Sequence, residues 1–370
     1  MKSINRTTTI APFRADHVGS LLRPLALHDA IAQAKQGLIT PAELAAVQDQ
    51  SIRDVVALQE SVGIQGVTDG EFRRDFWHID FIHGFDGVGL VTNTSHTFHA
   101  TDEQPPMFSL TGKVRRTKPV MVPHFEFLQA LSPKGTAKFT MPSPAMLHAR
   151  GDREALRRVY PDIEEFWSDV ATAYQQEIAD LYKAGCRYLQ IDDTTIAMMG
   201  DPKVQETFRS FGDDPRATVA AYAGAINRAI SAVPDDMSVT VHTCRGNFKS
   251  TWMTSGSYDF VSEIAFSELD VDGFFLEFDD DRSGGFAPLR YITGAKVVLG
   301  LVSSKLPQLE SKDLLKRRID EASKYVPMEQ LCLSPQCGFA STHHGNNLTV
   351  EDEKAKLRLC VETAHEVWGD

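Results

Sequence analysis

Short apolar or β-branched runs recur along the chain, and the gaps between them carry helical patterning. This alternation narrows the fold more than any single motif. The runs lie at 13–19, 64–68, 138–141, 187–191, 238–243, 272–276, 296–302 and 331–333. Strands separated by helices pair in parallel through right-handed crossovers. Eight such units predict an α/β protein, a (β/α)8 TIM barrel, whose functional residues sit at the carboxyl ends of its strands. The run at 296–302 is almost continuously apolar, as expected of a strand covered on both faces.

Helix boundaries are written locally. Thr40 precedes Pro41, and Glu43 follows three residues after the threonine. This capping box opens a helix that runs to about Val62 and stops at Gly63. Thr349 caps a last helix at 348–368, and the pattern over 152–184 reads as one long helix ending at Gly185. Residues at about 88–120 break the rhythm, being polar, Thr-rich and Pro-containing. They read as an insertion, a hairpin or lid over one end of the fold, because a structureless loop of that length is improbable inside a compact domain. No Gly/Ser/Pro linker divides the chain, so the expected organisation is one domain over 1–370.

Composition removes several function classes. Against 38 basic residues stand 50 acidic ones, a formal charge of −12 that opposes a phosphate backbone or an anionic membrane. Neither nucleic acid nor membrane is an expected partner; a homo-oligomer is compatible with the sequence. Cys186, Cys244, Cys332, Cys337 and Cys360 are too few and too irregularly spaced for a disulfide framework, which suggests a reducing compartment. The first eleven residues are polar, and no apolar stretch approaches membrane-spanning length. The expected location is cytoplasmic.

The run at 238–243 ends on His242 and continues through Thr243 to Cys244. In an extended backbone residues i and i+2 face the same side, so an imidazole and a thiol point at one spot. In a barrel, Glu277 after the sixth strand and Cys337 after the eighth share that rim. Each residue alone has an ordinary structural explanation, as a rim histidine, a small buried thiol or a solvated acid. Together, two thiolates, an imidazole and a carboxylate make a tetrahedral zinc set, too rich in N and S for Mg²⁺ or Ca²⁺. Such ligands carry a formal charge of about −3 against +2, which disfavours water activation. The set suits exchange with an incoming thiol and alkyl transfer to its sulfur.

The motifs Asp16-His17-Val18-Gly19-Ser20, Val67-Thr68-Asp69-Gly70-Glu71, Leu189-Gln190-Ile191-Asp192, Val241-His242-Thr243-Cys244, Leu276-Glu277 and Ser334-Pro335-Gln336-Cys337-Gly338 together resemble the catalytic C-terminal barrel of cobalamin-independent methionine synthase. The resemblance spans nearly all the chain from about Arg14 and is closest to short, single-barrel homologues. It implies zinc at His242, Cys244, Glu277 and Cys337. It also implies homocysteine held by Gly19 and Ser20, with its amino group facing Glu71 and Asp192. The implied reaction is methyl transfer to the homocysteine thiol, giving methionine.

Two local departures bear on the donor. Met141-Pro142-Ser143-Pro144 stands where the family has a tryptophan near its folate, and Lys305 replaces the histidine proposed as the family's proton donor. Lys305 is read as the catalytic residue here, donating a proton to the leaving group or pairing with a carboxylate or sulfonate on the substrate. The methyl donor stays open among methyl-folate, a methylated corrinoid and a small methyl compound. The alternative activity is alkyl transfer to another thiol, such as epoxide opening by a coenzyme M-like thiol, and a non-catalytic zinc-binding barrel is the reading from another class. Phe72, Phe76, Trp77 and Phe81, with His78, read as a donor-pocket wall or as packing under the insertion; His343 and His344 read as surface.

Overall fold

The computed structural model describes residues 11–92, 105–131 and 133–369. Nine strands occur among them: β1 (Gly66–Val67), β2 (Asp86–Val91), β3 (Met107–Arg115), β4 (Thr136–Pro142), β5 (Tyr188–Asp193), β6 (Ser238–Thr243), β7 (Gly273–Glu277), β8 (Lys296–Val302) and β9 (Leu331–Pro335). Seven form one parallel sheet in the order β1-β4-β5-β6-β7-β8-β9. After β1 and the hairpin, neighbours in sequence are neighbours in space, as helical crossovers require. Every residue of β5, β6, β7 and β9 is buried, as expected of strands covered on both faces, although β6 alternates polar and apolar residues.

The run at 13–19, expected as a full strand, joins the sheet through one bridge, Ala15 to Leu333. The reason is a local competition for its amides. The Asp16 carboxylate accepts from the backbone N–H of Phe13 at 3.1 Å and of His17 at 2.8 Å, removing donors that a second ladder would use. The segment still touches both ends of the strand order. Asp16 donates its N–H to the Leu333 carbonyl at 3.0 Å, and the Thr68 hydroxyl beyond β1 donates to the Gly19 carbonyl at 2.6 Å. β1 and β9 can meet one segment in this way only if the sheet curls.

Residues 152–184 form two helices, Arg153–Val159 and Ile163–Lys183, in place of the single one expected. Pro161 disfavours helical backbone at Tyr160, and Asp162 re-caps the chain by accepting from the Glu164 N–H. The second helix then buries Phe166, Val170, Ala173, Tyr174 and Leu181 along one stripe. Thr40 and Thr349 each complete a capping box. β2 and β3 pair antiparallel within the expected insertion, of which residues 93–104 lie outside the described set, as do residues 1–10 of the polar N-terminus. Among the described residues no helix is long and apolar enough to cross a membrane.

Under the site the sheet interior is polar and paired. Lys138 of β4, fully buried, donates to Asp16 Oδ1 at 3.0 Å and lies 4.2 Å from the centre of the Phe275 ring. The Tyr188 hydroxyl of β5 donates to Asp16 Oδ2 at 2.8 Å. Removing one partner of a buried ion pair strands the other charge, at about 3–5 kcal/mol. Lys138→Met is therefore expected to lower the unfolding free energy measured by urea titration by an amount in that range. A shift worth less than about 1 kcal/mol would show that the hydrogen bonds to Asp16 suffice without the ammonium.

Candidate metal and substrate site

β6 carries His242 to the carboxyl end of the sheet, with Cys244 one residue past the strand on the same side. The loop after β9 supplies Cys337. One ligand atom from each of His242, Cys244 and Cys337 lies within 4.8 Å of the others, and the two sulfurs are 3.6 Å apart. Asn247 ties the two loops together by donating its amide to the Gly338 carbonyl at 2.7 Å, and the Gly246 N–H meets Cys244 Sγ at 3.1 Å. Gly338 has no room for a side chain, since a Cβ there would sit 1.9 Å from Ser20 Oγ. His242 is 3% exposed, yet neither ring nitrogen has a hydrogen-bond partner. A buried imidazole with both nitrogens unsatisfied costs free energy unless something binds there, and two adjacent sulfurs make that something a soft ion. The three side chains therefore fit zinc.

The thiols titrate as a pair. Their mutual hydrogen bond, with the neighbouring imidazole, holds Cys337 well below the usual thiol range. The same bond, with burial, holds Cys244 well above it. One thiolate is thus favoured even without an ion.

Glu277, expected as the fourth ligand, stands outside this group. It ends β7 and is buried, but each carboxylate oxygen is engaged elsewhere. Oε2 accepts from the Arg245 N–H and Oε1 from the Gln336 amide, both at 3.0 Å.

Two further acids face the cluster. In the parallel register of β5 and β6, Asp192 lies opposite His242, so both project to the same side at the same level. Gln190, two residues back on β5, donates to Asp192 Oδ1 at 2.6 Å. Burial raises Asp192 to about 7, against the attraction of His242 and with the repulsion of Glu71. Glu71 has φ 62°, a left-handed conformation that a non-glycine residue rarely holds outside functional sites. Its Oε1 accepts from the Thr140 hydroxyl at 2.7 Å, and burial raises its carboxyl too, opposed by Arg74. Two buried carboxyls on one cavity wall, raised by burial, suit a cation, because an entering positive charge favours their ionised forms.

One cavity is lined by Ser20, Glu71, Asp192, His242, Cys244 and Cys337, among others. Gly19 lies behind it, at φ 138°; a Cβ there would come 2.6 Å from the Thr140 methyl and 3.4 Å from Glu71 Oε1. Lys305 is not on the cavity wall. It is 6% exposed, and its Nζ has no hydrogen-bond partner. Of the aromatic group, Trp77 lines the cavity and stacks on His78, with ring centres 4.7 Å apart, whereas Phe72 and Phe81 are buried in the core. Sequence reasoning missed Arg150, a cavity residue whose guanidinium makes no ion pair among the described residues and meets Met253 Sδ at 3.1 Å. Nothing in its local sequence marks it. Asn247 and Gln336 were also missed, although each sits within three residues of a thiol.

Comparisons with known proteins place the chain in one family. The family described as cobalamin-independent synthase, catalytic domain, matches residues 13–366. The uncharacterised protein YxjH of Bacillus subtilis is 45% identical over 361 residues, covering 97% of this chain and 95% of the relative. The 5-methyltetrahydropteroyltriglutamate–homocysteine methyltransferase of Flavobacterium johnsoniae is 24% identical across 99% of this chain but only 43% of its own length. A solved structure from Listeria monocytogenes, assigned as a vitamin-B12 independent methionine synthase, superposes with a TM-score of 0.78. It shares 40% identity over 98% of this chain and 100% of that one.

The thiol chemistry can be checked without a substrate. Thiolates, not thiols, alkylate, and burial raises Cys186 to about 12 and Cys332 to about 11. In protein stripped with EDTA, iodoacetamide at pH 7 is expected to label Cys337 ahead of Cys186, Cys332 and Cys360, and zinc added beforehand to suppress that labelling. Peptide mass mapping reads the order. Labelling of Cys332 before Cys337 would contradict the lowered thiol.

Proposed function

Because this chain belongs to the cobalamin-independent synthase catalytic-domain family, we propose that it is a zinc-dependent methyltransferase that methylates the thiol of homocysteine to form methionine. The observation that carries this reading is the meeting of two unlike groups in one cavity. A soft-metal donor set, His242, Cys244 and Cys337, faces a carboxylate pair, Glu71 and Asp192. The first suits sulfur and the second suits an ammonium, so the matching ligand is an aminothiol.

His242, Cys244 and Cys337 would hold the ion, and Glu277 would be the fourth ligand after leaving its hydrogen bonds to Arg245 and Gln336. Zinc supplies one thing when bound: it lowers the pKa of an incoming thiol, so that the sulfur is nucleophilic at neutral pH. Glu71 and Asp192 take the ammonium and thereby orient the sulfur. Ser20 and the backbone at Gly19 take the carboxylate. The sulfur forms its bond to the methyl carbon as the bond from that carbon to the donor breaks. The electron pair leaves with the donor, and Lys305, off the cavity wall but with no hydrogen-bond partner at Nζ, is the assigned proton source once the bound donor brings its leaving group within reach. Trp77 and His78 wall the donor side of the cavity. The accompanying fold reading is a complete (β/α)8 barrel forming one domain, closed between β9 and β1 by the bridged segment 13–19 in place of a strand.

Cobalt substitution tests the reading, since sulfur on the ion produces a charge-transfer band. Homocysteine is expected to raise the band and a chelator to abolish transfer. Asp192→Asn is expected to weaken homocysteine by about ten- to hundredfold, the value of a hydrogen bond to a charged group, while leaving coenzyme M, which has no ammonium, unchanged. A band raised by coenzyme M and not by homocysteine would transfer the site to the epoxide-opening class. Full activity in metal-free protein would end the zinc mechanism.

A further inference from the structure

We infer that Gln336 is a positioning residue that gives the Glu277 carboxylate a bonded place away from the ion, so that Glu277 can leave a metal without becoming a stranded charge. This rests on the zinc reading of the site. Both Glu277 oxygens are satisfied outside the His242/Cys244/Cys337 group: Oε1 by Gln336 Nε2 and Oε2 by the Arg245 N–H, each at 3.0 Å, with Arg245 Nη1 a further 3.5 Å contact. The two donors come from beside the two thiols, since Arg245 follows Cys244 and Gln336 precedes Cys337.

The amide is held with its NH₂ end toward the acceptor-only carboxylate of Glu277. Gln336 Oε1 accepts from the Ser304 hydroxyl at 2.7 Å, which leaves only the NH₂ end for Glu277. Ser304 is itself held, its carbonyl taking the Asn346 amide at 2.8 Å. The Gln336 backbone is fixed by its N–H on the Val302 carbonyl at 2.8 Å and by the close approach of Gly300, where a Cβ would fall 2.7 Å from Gln336 Cα. Gln336 is 1% exposed and Ser304 is fully buried, so neither side chain is in contact with bulk solvent.

A buried carboxylate that loses an ion and finds no donor pays a desolvation penalty of several kcal/mol. The Ser304–Gln336 pair removes much of that penalty from the parked position and narrows the gap between Glu277 on the metal and Glu277 off it. A thiol entering the site then displaces a ligand that has somewhere to go. An acid at 336 would repel Glu277, and an aliphatic residue would leave the parked oxygen bare. The amide, with its oxygen committed to Ser304, offers only a donor. Gln336 does not line the cavity, so it acts through Glu277 and not on a substrate.

The test is zinc affinity, measured by competition with a chromophoric chelator on the full chain. Gln336→Leu is expected to bind zinc about three- to tenfold more tightly than the unaltered protein, the equivalent of one hydrogen bond withdrawn from the parked state. In a Glu277→Gln background the same substitution is expected to change nothing. Ser304→Ala, which frees the amide to flip, is expected to shift affinity in the same direction by less, and keeps the test open if Gln336→Leu does not fold. Unchanged or weaker zinc binding in the folded single variants, or an equal shift in the Glu277→Gln background, overturns the inference. Failure of the unaltered protein to bind zinc overturns the zinc reading along with it, and that outcome is distinct because it appears before any variant is compared.

Discussion

The parallel register of β5 on β6 is the constraint on which the site depends. It sets Asp192 opposite His242, and the two-residue period of the strands then fixes their neighbours: Gln190 behind Asp192, Cys244 beyond His242. A slip of one residue would turn the whole set to the other face. Burial on both sides of the sheet prevents that slip, because every residue of both strands is enclosed and an exchanged face would bury charge against the helices. Asn247 adds the remaining tie by bonding the Cys244 loop to the Gly338 carbonyl, which keeps the thiol after β9 beside the pair from β6.

Around that frame the electrostatics are incomplete in a directed way. Most buried polar groups of the sheet interior are paired, as Lys138, Asp16 and Tyr188 illustrate. At the cavity the pairing stops. His242 has two nitrogens without a hydrogen-bond partner, and burial raises the carboxyls of both Asp192 and Glu71. Buried groups in this condition lower stability unless a ligand completes them, and the left-handed backbone of Glu71 adds strain at the same place. An ion on one side and an ammonium on the other would relieve both deficits at once.

Much of this was legible in the residues. The capping boxes at Thr40 and Thr349 are local chemistry and fold as written. The alternation of strand and helix predicted a parallel sheet, and the His-x-Cys spacing required two ligands on one side. Other features depended on competition the sequence does not rank. Asp16 takes amides that residues 13–19 would need for a strand ladder, and Pro161 with Asp162 divides a helical pattern that periodicity alone ran together. Arg150 reaches the cavity from the helix turn after β4 with no motif to announce it.

The amino-acid sequence by itself determined the element order, the side of each strand on which a residue falls, and the chemical kinds gathered at the strand ends, because those follow from backbone periodicity and from contacts within a few residues. Only the tertiary structure decided which of those groups touch. Glu277 is drawn to Arg245 and Gln336 and not to the sulfurs, Lys305 is enclosed without an acceptor, and Asp192 is set against Glu71. A buried polar atom takes its partner from whatever the fold brings within about 3 Å, and the two donors to Glu277 come from 32 and 59 residues away along the chain, so distance in sequence does not order them.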